Sequence, residues 1–320
     1  MNCHFSSWHL NLAIAWMVLA SLLTSISANA QEQRARPPVF DENATSRVFF
    51  SDLSTAFRGE RPSLANLRKS DAVAAVAKSD ATTEGESGGE QLWNKLVSPI
   101  SLEDEVKRVK LKFDASITTP GAFNGGGYQE ARLHLSVLAS LFAVISEYPG
   151  DVRWKSDSQA ARDLTARTAQ NCAAGSTVGF KEAQLRKADL QDLISGSGLS
   201  GAKGDSGPND WSMIADRSPL MEYAQTLLDS LSGQATDAAT VQENVDSVRR
   251  HSELIAMLGE ILVHEGMDDA EDEDYQMMSR AMTKASRSIV AAIERQDFEA
   301  ARAGVGAITQ SCADCHEQYR

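Results

Sequence analysis

"DFEAARAGVGAITQSCADCHEQYR", residues 297–320, holds both the pattern that sets the fold and the string that sets the chemistry. Phe298, Ala301, Val305, Ile308 and Cys312 follow one another in steps of three and four, the spacing that lines apolar side chains along one face of an α-helix. The same steps recur upstream. Met221, Ala224, Leu228 and Leu231 mark one face, Val241, Val245, Val248, Ile255 and Leu262 a second, and Met278, Met282, Ala285 and Ile289 a third. Links such as "SGQATDAA" and "ERQD" join them, and links this short make neighbouring helices run antiparallel. Residues 211–320 therefore read as an up-down-up-down four-helix bundle.

A second bundle of the same kind is expected at 91–194. With His134 placed on His251, an ungapped alignment puts Ser101 on Ser218, Glu105 on Glu222, Arg132 on Arg249 and Leu141 on Leu258. Thirteen of the 74 positions from 101 to 174 are identical, which suggests a tandem duplication of domain size and not a solenoid. Trp93 and Trp211, and Phe180 and Phe298, agree one residue further on. Between the halves lies "SGSGLSGAKGDSGPND", residues 195–210, a Gly/Ser linker. The fold class expected is all-α, two tandem antiparallel four-helix bundles. Composition agrees, since only 6% of residues are aromatic and aromatic and β-branched residues are what strands favour.

The N-terminus reads as an export signal. Leu10 to Leu23 is mostly apolar, and "SANAQ" offers Ala28 and Ala30 ahead of a cut before Gln31. The apolar run is short for a membrane span, so no stable span is expected after cleavage of residues 1–30. Residues 31–90, with "RPP" and "TTEGESGGE", carry little apolar periodicity and read as a mobile leader. The 31 basic residues against 44 acidic ones, net −13, argue against nucleic acid as a partner. After cleavage, Cys172, Cys312 and Cys315 remain.

Cys312-Ala313-Asp314-Cys315-His316 is a C-x-x-C-H string. On a helix, residues three and four apart share a face, so the two thiols and the imidazole form one patch. A c-type haem needs that patch: two thiols for two thioethers and a neighbouring histidine for the iron. Other uses fit less well. A thioredoxin-like pair follows a strand and precedes a helix, whereas here a helix precedes and the string is near residue 320. Zinc needs four ligands, and a disulfide across three residues of a helix is strained. One haem c per chain is expected, on Cys312 and Cys315, with His316 as iron ligand and the protein exported to the periplasm or a similar compartment.

The bundle and the string together resemble the cytochrome c′ family, the class II c-type cytochromes. The resemblance rests on "SCADCHEQYR", with an arginine four residues after the histidine, on "DAATVQENVDSV", and on "RSPLM" near the start of the first helix. It covers about 210–320, and more faintly 93–194. It implies haem held between helices, His316 as proximal ligand and Arg320 near the proximal face. It also implies that Met221, four residues after Arg217, occupies the distal position. Met221 then has two readings, sixth iron ligand or core filler. Pro219, fitted to a first turn capped by Ser218, puts the placing of Arg217 in question. His251 and His264 are read onto the second helix, and His251 is taken as a packing or hydrogen-bonding residue because His134 answers it in the other half. Cys172 aligns with Ile289 and reads as a buried apolar residue.

In the first half, Ile194, Ser197 and Gly198 stand where Cys312, Cys315 and His316 stand in the second, and Asp104 and Ile100 answer Met221 and Arg217. The first bundle is thus expected to be haem-free. The leading function is a single-electron carrier, not an enzyme, with an unidentified redox protein as partner. A five-coordinate haem protein that binds a diatomic gas, NO or CO, is the rival, and an interaction module with a structural haem is a third reading. A homodimer is left open.

Overall fold

The computed structural model describes residues 92–199 and 203–319. The expected signal segment, the leader and Arg320 lie outside them. Every regular element among the described residues is helical, so the protein is all-α. In the first half, a four-residue helix α1 (Trp93–Leu96) precedes α2 (Pro99–Ser116), α3 (Tyr128–Glu147), α4 (Ser158–Asn171) and α5 (Thr177–Ser195). In the second half, α6 (Trp211–Ile214) precedes α7 (Arg217–Gln234), α8 (Ala238–Glu243), α9 (Val245–Ile261), α10 (Glu273–Glu294) and α11 (Phe298–Gln318). Each half thus opens with a tryptophan-led turn and a helix of 18 residues. Within each half, consecutive long helices pack side by side.

Local sequence explains the boundaries. Ser98 caps α2, accepting from the Ser101 N–H at 3.3 Å, with Pro99 at the first helical position, where its missing N–H costs nothing. Asp297 accepts from the Ala300 N–H at 3.0 Å and starts α11. One helix differs from the sequence reading. The stretch read as one helix from Val241 to Leu262 breaks at Asn244, whose φ of −113° and ψ of 23° leave the helical region between α8 and α9. In the first half, "FNGGG" (Phe123–Gly127) is a wider π-type turn, with Gly126 at φ 140°, a backbone angle that suits glycine.

The interiors are filled differently. Phe113, Phe123 and Phe142 are fully buried in the first bundle. In the second, Met257, Leu258, Ile289 and Ile308 fill the centre, and Gly304 lets α11 lie close on α10, since a Cβ there would stand 2.5 Å from Ile289 Cγ1.

Both bundles belong to one compact unit. α3 packs on α7, α1 reaches across to α9, and α6 reaches back to α3 and α4. The contact is polar as well as apolar. Glu105, fully buried, accepts from Arg108 Nε at 2.8 Å and from the hydroxyl of Tyr223 in the other half. Ser98 donates its N–H and hydroxyl to Glu253 at 3.0 and 2.7 Å. His264 meets both Trp93 and Trp211, with ring centroids at 5.5 and 5.3 Å, and the two tryptophans lie 6.2 Å from each other. The described end of the linker is pinned: Arg162, buried on α4, donates to Asn209 Oδ1 at 2.6 Å and to the Asp205 carbonyl at 2.9 Å. Gly204 lies so close to Gln159 and Ala160 that a Cβ has no room.

Candidate haem site

The last turns of α11 carry Cys312, Cys315 and His316 on one side, next to Ser311 and Tyr319. All five line a cavity of about 490 Å³. From α7 come Arg217, Ser218, Met221, Ala224, Gln225 and Leu228, and from α10 Tyr275, Met278, Ser279 and Met282. Leu262 and Asp268, from the chain joining α9 to α10, complete it. Its size is that of an ordinary cofactor cleft, about 300–1,000 Å³. The lining is mostly apolar, with two thiols, an imidazole, a guanidinium and phenols at set points. The residues therefore fit a flat, largely apolar group tethered through sulfur and bound through nitrogen.

The chemistry of the thiols agrees. Neither cysteine is in a disulfide. Burial pushes both thiols above the usual range, Cys312 further through the neighbouring Cys315, while the Arg217 charge pulls Cys315 partly back. They are thus held as neutral S–H groups, the form that adds across a vinyl group without a redox change. Cys172 is fully buried in the first bundle, and burial pushes its thiol to about 12.

Arg217 is the first residue of α7, with Asp216 as N-cap. Ser218 is therefore not the cap, and Pro219 sits third in the helix, which leaves Arg217 helical and at the cavity. Arg217 pairs with Asp269 at 2.5 Å and lies 5.7 Å from the centre of the Tyr275 ring. Tyr275 in turn meets Tyr319 edge-on at 5.1 Å. His251 and His264 stay away from the cavity. His264 lies beyond the end of α9, not on it, because the helix closes at Ile261.

Tyr275, Ser279 and Asp268 were not picked out from sequence. Tyr275 had a signal, since it continues the Met278, Met282 face by one step of three. Asp268 had none, because its place depends on the turn between α9 and α10.

The fold and the site define a helical bundle whose last helix brings two cysteines and a histidine to one cavity. Residues 269–320 match the family model described as Cytochrome C', and that C-terminal part, which contains α10 and α11, is similar to this family. The match includes Cys312, Cys315 and His316 and stops short of α7, so Met221 and Arg217 rest on the geometry of this chain. No curated protein and no solved structure matches. No helix among the described residues is long and apolar enough to cross a membrane.

Proposed function

We propose that the second bundle is an exported monohaem c-type cytochrome domain that carries single electrons and has no enzymatic turnover of its own. The observation that carries this reading is one cavity to which α11 brings Cys312, Cys315 and His316 and α7 brings Met221. When bound, haem c supplies an iron that gains and loses one electron. The chain does the rest. Cys312 and Cys315 would hold the group through two thioethers, each S–H adding across a vinyl group with no net gain or loss of electrons. His316 would offer its imidazole to the iron, and Met221 its thioether from α7. Ala224, Leu228, Leu262, Met278 and Met282 give the cavity an apolar lining, and a sulfur-ligated iron in so dry a place would have a raised potential.

The first bundle has Ser197 and Gly198 where this chemistry needs Cys315 and His316, and its interior is occupied by phenylalanines. It carries no haem in this account and acts as a support for the second. The electron partner is a redox protein. With net charge −13, a basic or neutral one is favoured.

Absorption spectra of the reduced protein with and without CO test the reading. The expected parent is low-spin and slow to take up CO, and Met221→Ala is high-spin and fast. A parent that is already high-spin and binds CO as fast as the variant removes Met221 as ligand and makes gas binding the function.

A further inference from the structure

The first turn of α7 is a thin partition. On one side is the haem cavity, and on the other a crevice of about 390 Å³ between the bundles, lined by Tyr128, Arg132 and Cys172 of the first half and by Ser218, Pro219 and Glu222 of α7. Ser218 lines both spaces. Pro219 and Leu220 of this turn are buried and α3 packs on α7, while Ser218 stays exposed between the two spaces.

Two ion pairs hold the turn, pulling in different directions. Asp216 has the extended backbone of an N-cap, φ −74° and ψ 151°, yet its carboxylate makes no bond to the N–H groups of its own helix. It pairs instead with the guanidinium of Arg132 on α3. The next residue, Arg217, turns to Asp269 at 2.5 Å. An aspartate at this position ordinarily caps its helix, so the carboxylate has been diverted to the first bundle.

We propose that the haem-free bundle positions the distal wall of the haem cavity through Arg132 and Asp216, and so sets how readily Met221 holds or yields the sixth iron site. This rests on the cytochrome reading above. Arg132 touches neither haem nor ligand and is a positioning residue. The pair is partly exposed, 36% and 57%, so its coupling is modest: about two- to fivefold in a rate or equilibrium, the range of an exposed pair.

The test uses the full chain, produced with its covalent haem. CO association with the reduced form and the low-spin fraction of the oxidised form are measured for the parent, Arg132→Ala, Asp216→Asn and the exchanged pair Arg132→Asp with Asp216→Arg. A surface comparator, Arg302→Ala, removes a pair with Glu299 on α11 at 2.6 Å. Either single change should raise the CO rate and lower the low-spin fraction by about two- to fivefold, the exchange should bring both back toward the parent, and Arg302→Ala should change neither. Circular dichroism checks folding, and if one single variant unfolds the other decides. Unchanged rates and spectra in a folded variant, or an exchange that restores nothing, overturn the role of Arg132 and leave the cytochrome reading standing. A parent without covalent haem overturns both.

Discussion

Tyr223 and Glu105 lie 118 positions apart in sequence and share one hydrogen bond. Both are buried, so removing the hydroxyl leaves a carboxylate short of one donor in a dry place, at a cost of about 1–3 kcal/mol. Tyr223→Phe should lower the denaturation midpoint accordingly, with Arg108 still holding Glu105, and urea titration measures it. A midpoint equal to the parent's argues that the bond adds nothing. Partnerships of this kind were not legible in the sequence. Glu105 shows only as a charge among Leu102, Val106 and Val109, with nothing to name its partner. Cys312, Cys315 and His316 were legible because their partnership is local: three residues on one turn of one helix. Met221 fell between. Its face was readable from Ala224 and Leu228, but its place in the cavity needed α7 and α11 together.

Elements were the most legible scale, because apolar periodicity and capping residues act within a few positions. The exceptions have local causes as well. Asn244 divides α8 from α9, and Asp216 displaces Ser218 as the residue before α7, which puts Pro219 third in the helix, two places deeper than its usual first position. Close packing of α10 and α11 depends on a glycine whose role no propensity announces. Gly304→Ala gains about 1 kcal/mol of helix propensity but pushes a methyl group into Ile289, an overpacking of about 1–3 kcal/mol, for a net loss of up to about 2 kcal/mol. Gly306, two residues on, has nothing within 4 Å of a Cβ, so Gly306→Ala should stabilise by up to about 1 kcal/mol. Thermal unfolding of the two variants should shift in opposite directions. A stabilised Gly304→Ala contradicts the tight α10–α11 contact.

At the scale of the whole molecule, the halves were readable as bundles but their joint was not, since nothing local in a Gly/Ser stretch announces that Arg162 pins its end. His134 and His251, 9% and 5% exposed, have no hydrogen-bond partner for Nδ1. Burial first, then nearby Arg108 and Lys112, with Arg250 beside His251 and Glu105 opposing, pull both down to about 4. Their ordinary value is 6.5, so between pH 6.5 and 4 the unfolded chain binds protons that the folded one refuses. Stability is full above about 6.5 and falls as pH drops to about 4, by at most about 3 kcal/mol for each histidine. Unfolding free energies across that window should show the slope, and His134→Gln with His251→Gln should flatten it; an unchanged slope assigns it elsewhere. One haem is expected on the last helix and none on the first bundle. Proteolysis of the exported protein followed by mass spectrometry tests it most directly. The account predicts one haem on the peptide containing Cys312 and Cys315 and none on the peptide containing Cys172. Those two cysteines recovered as free thiols, or a haem elsewhere in the chain, would contradict it.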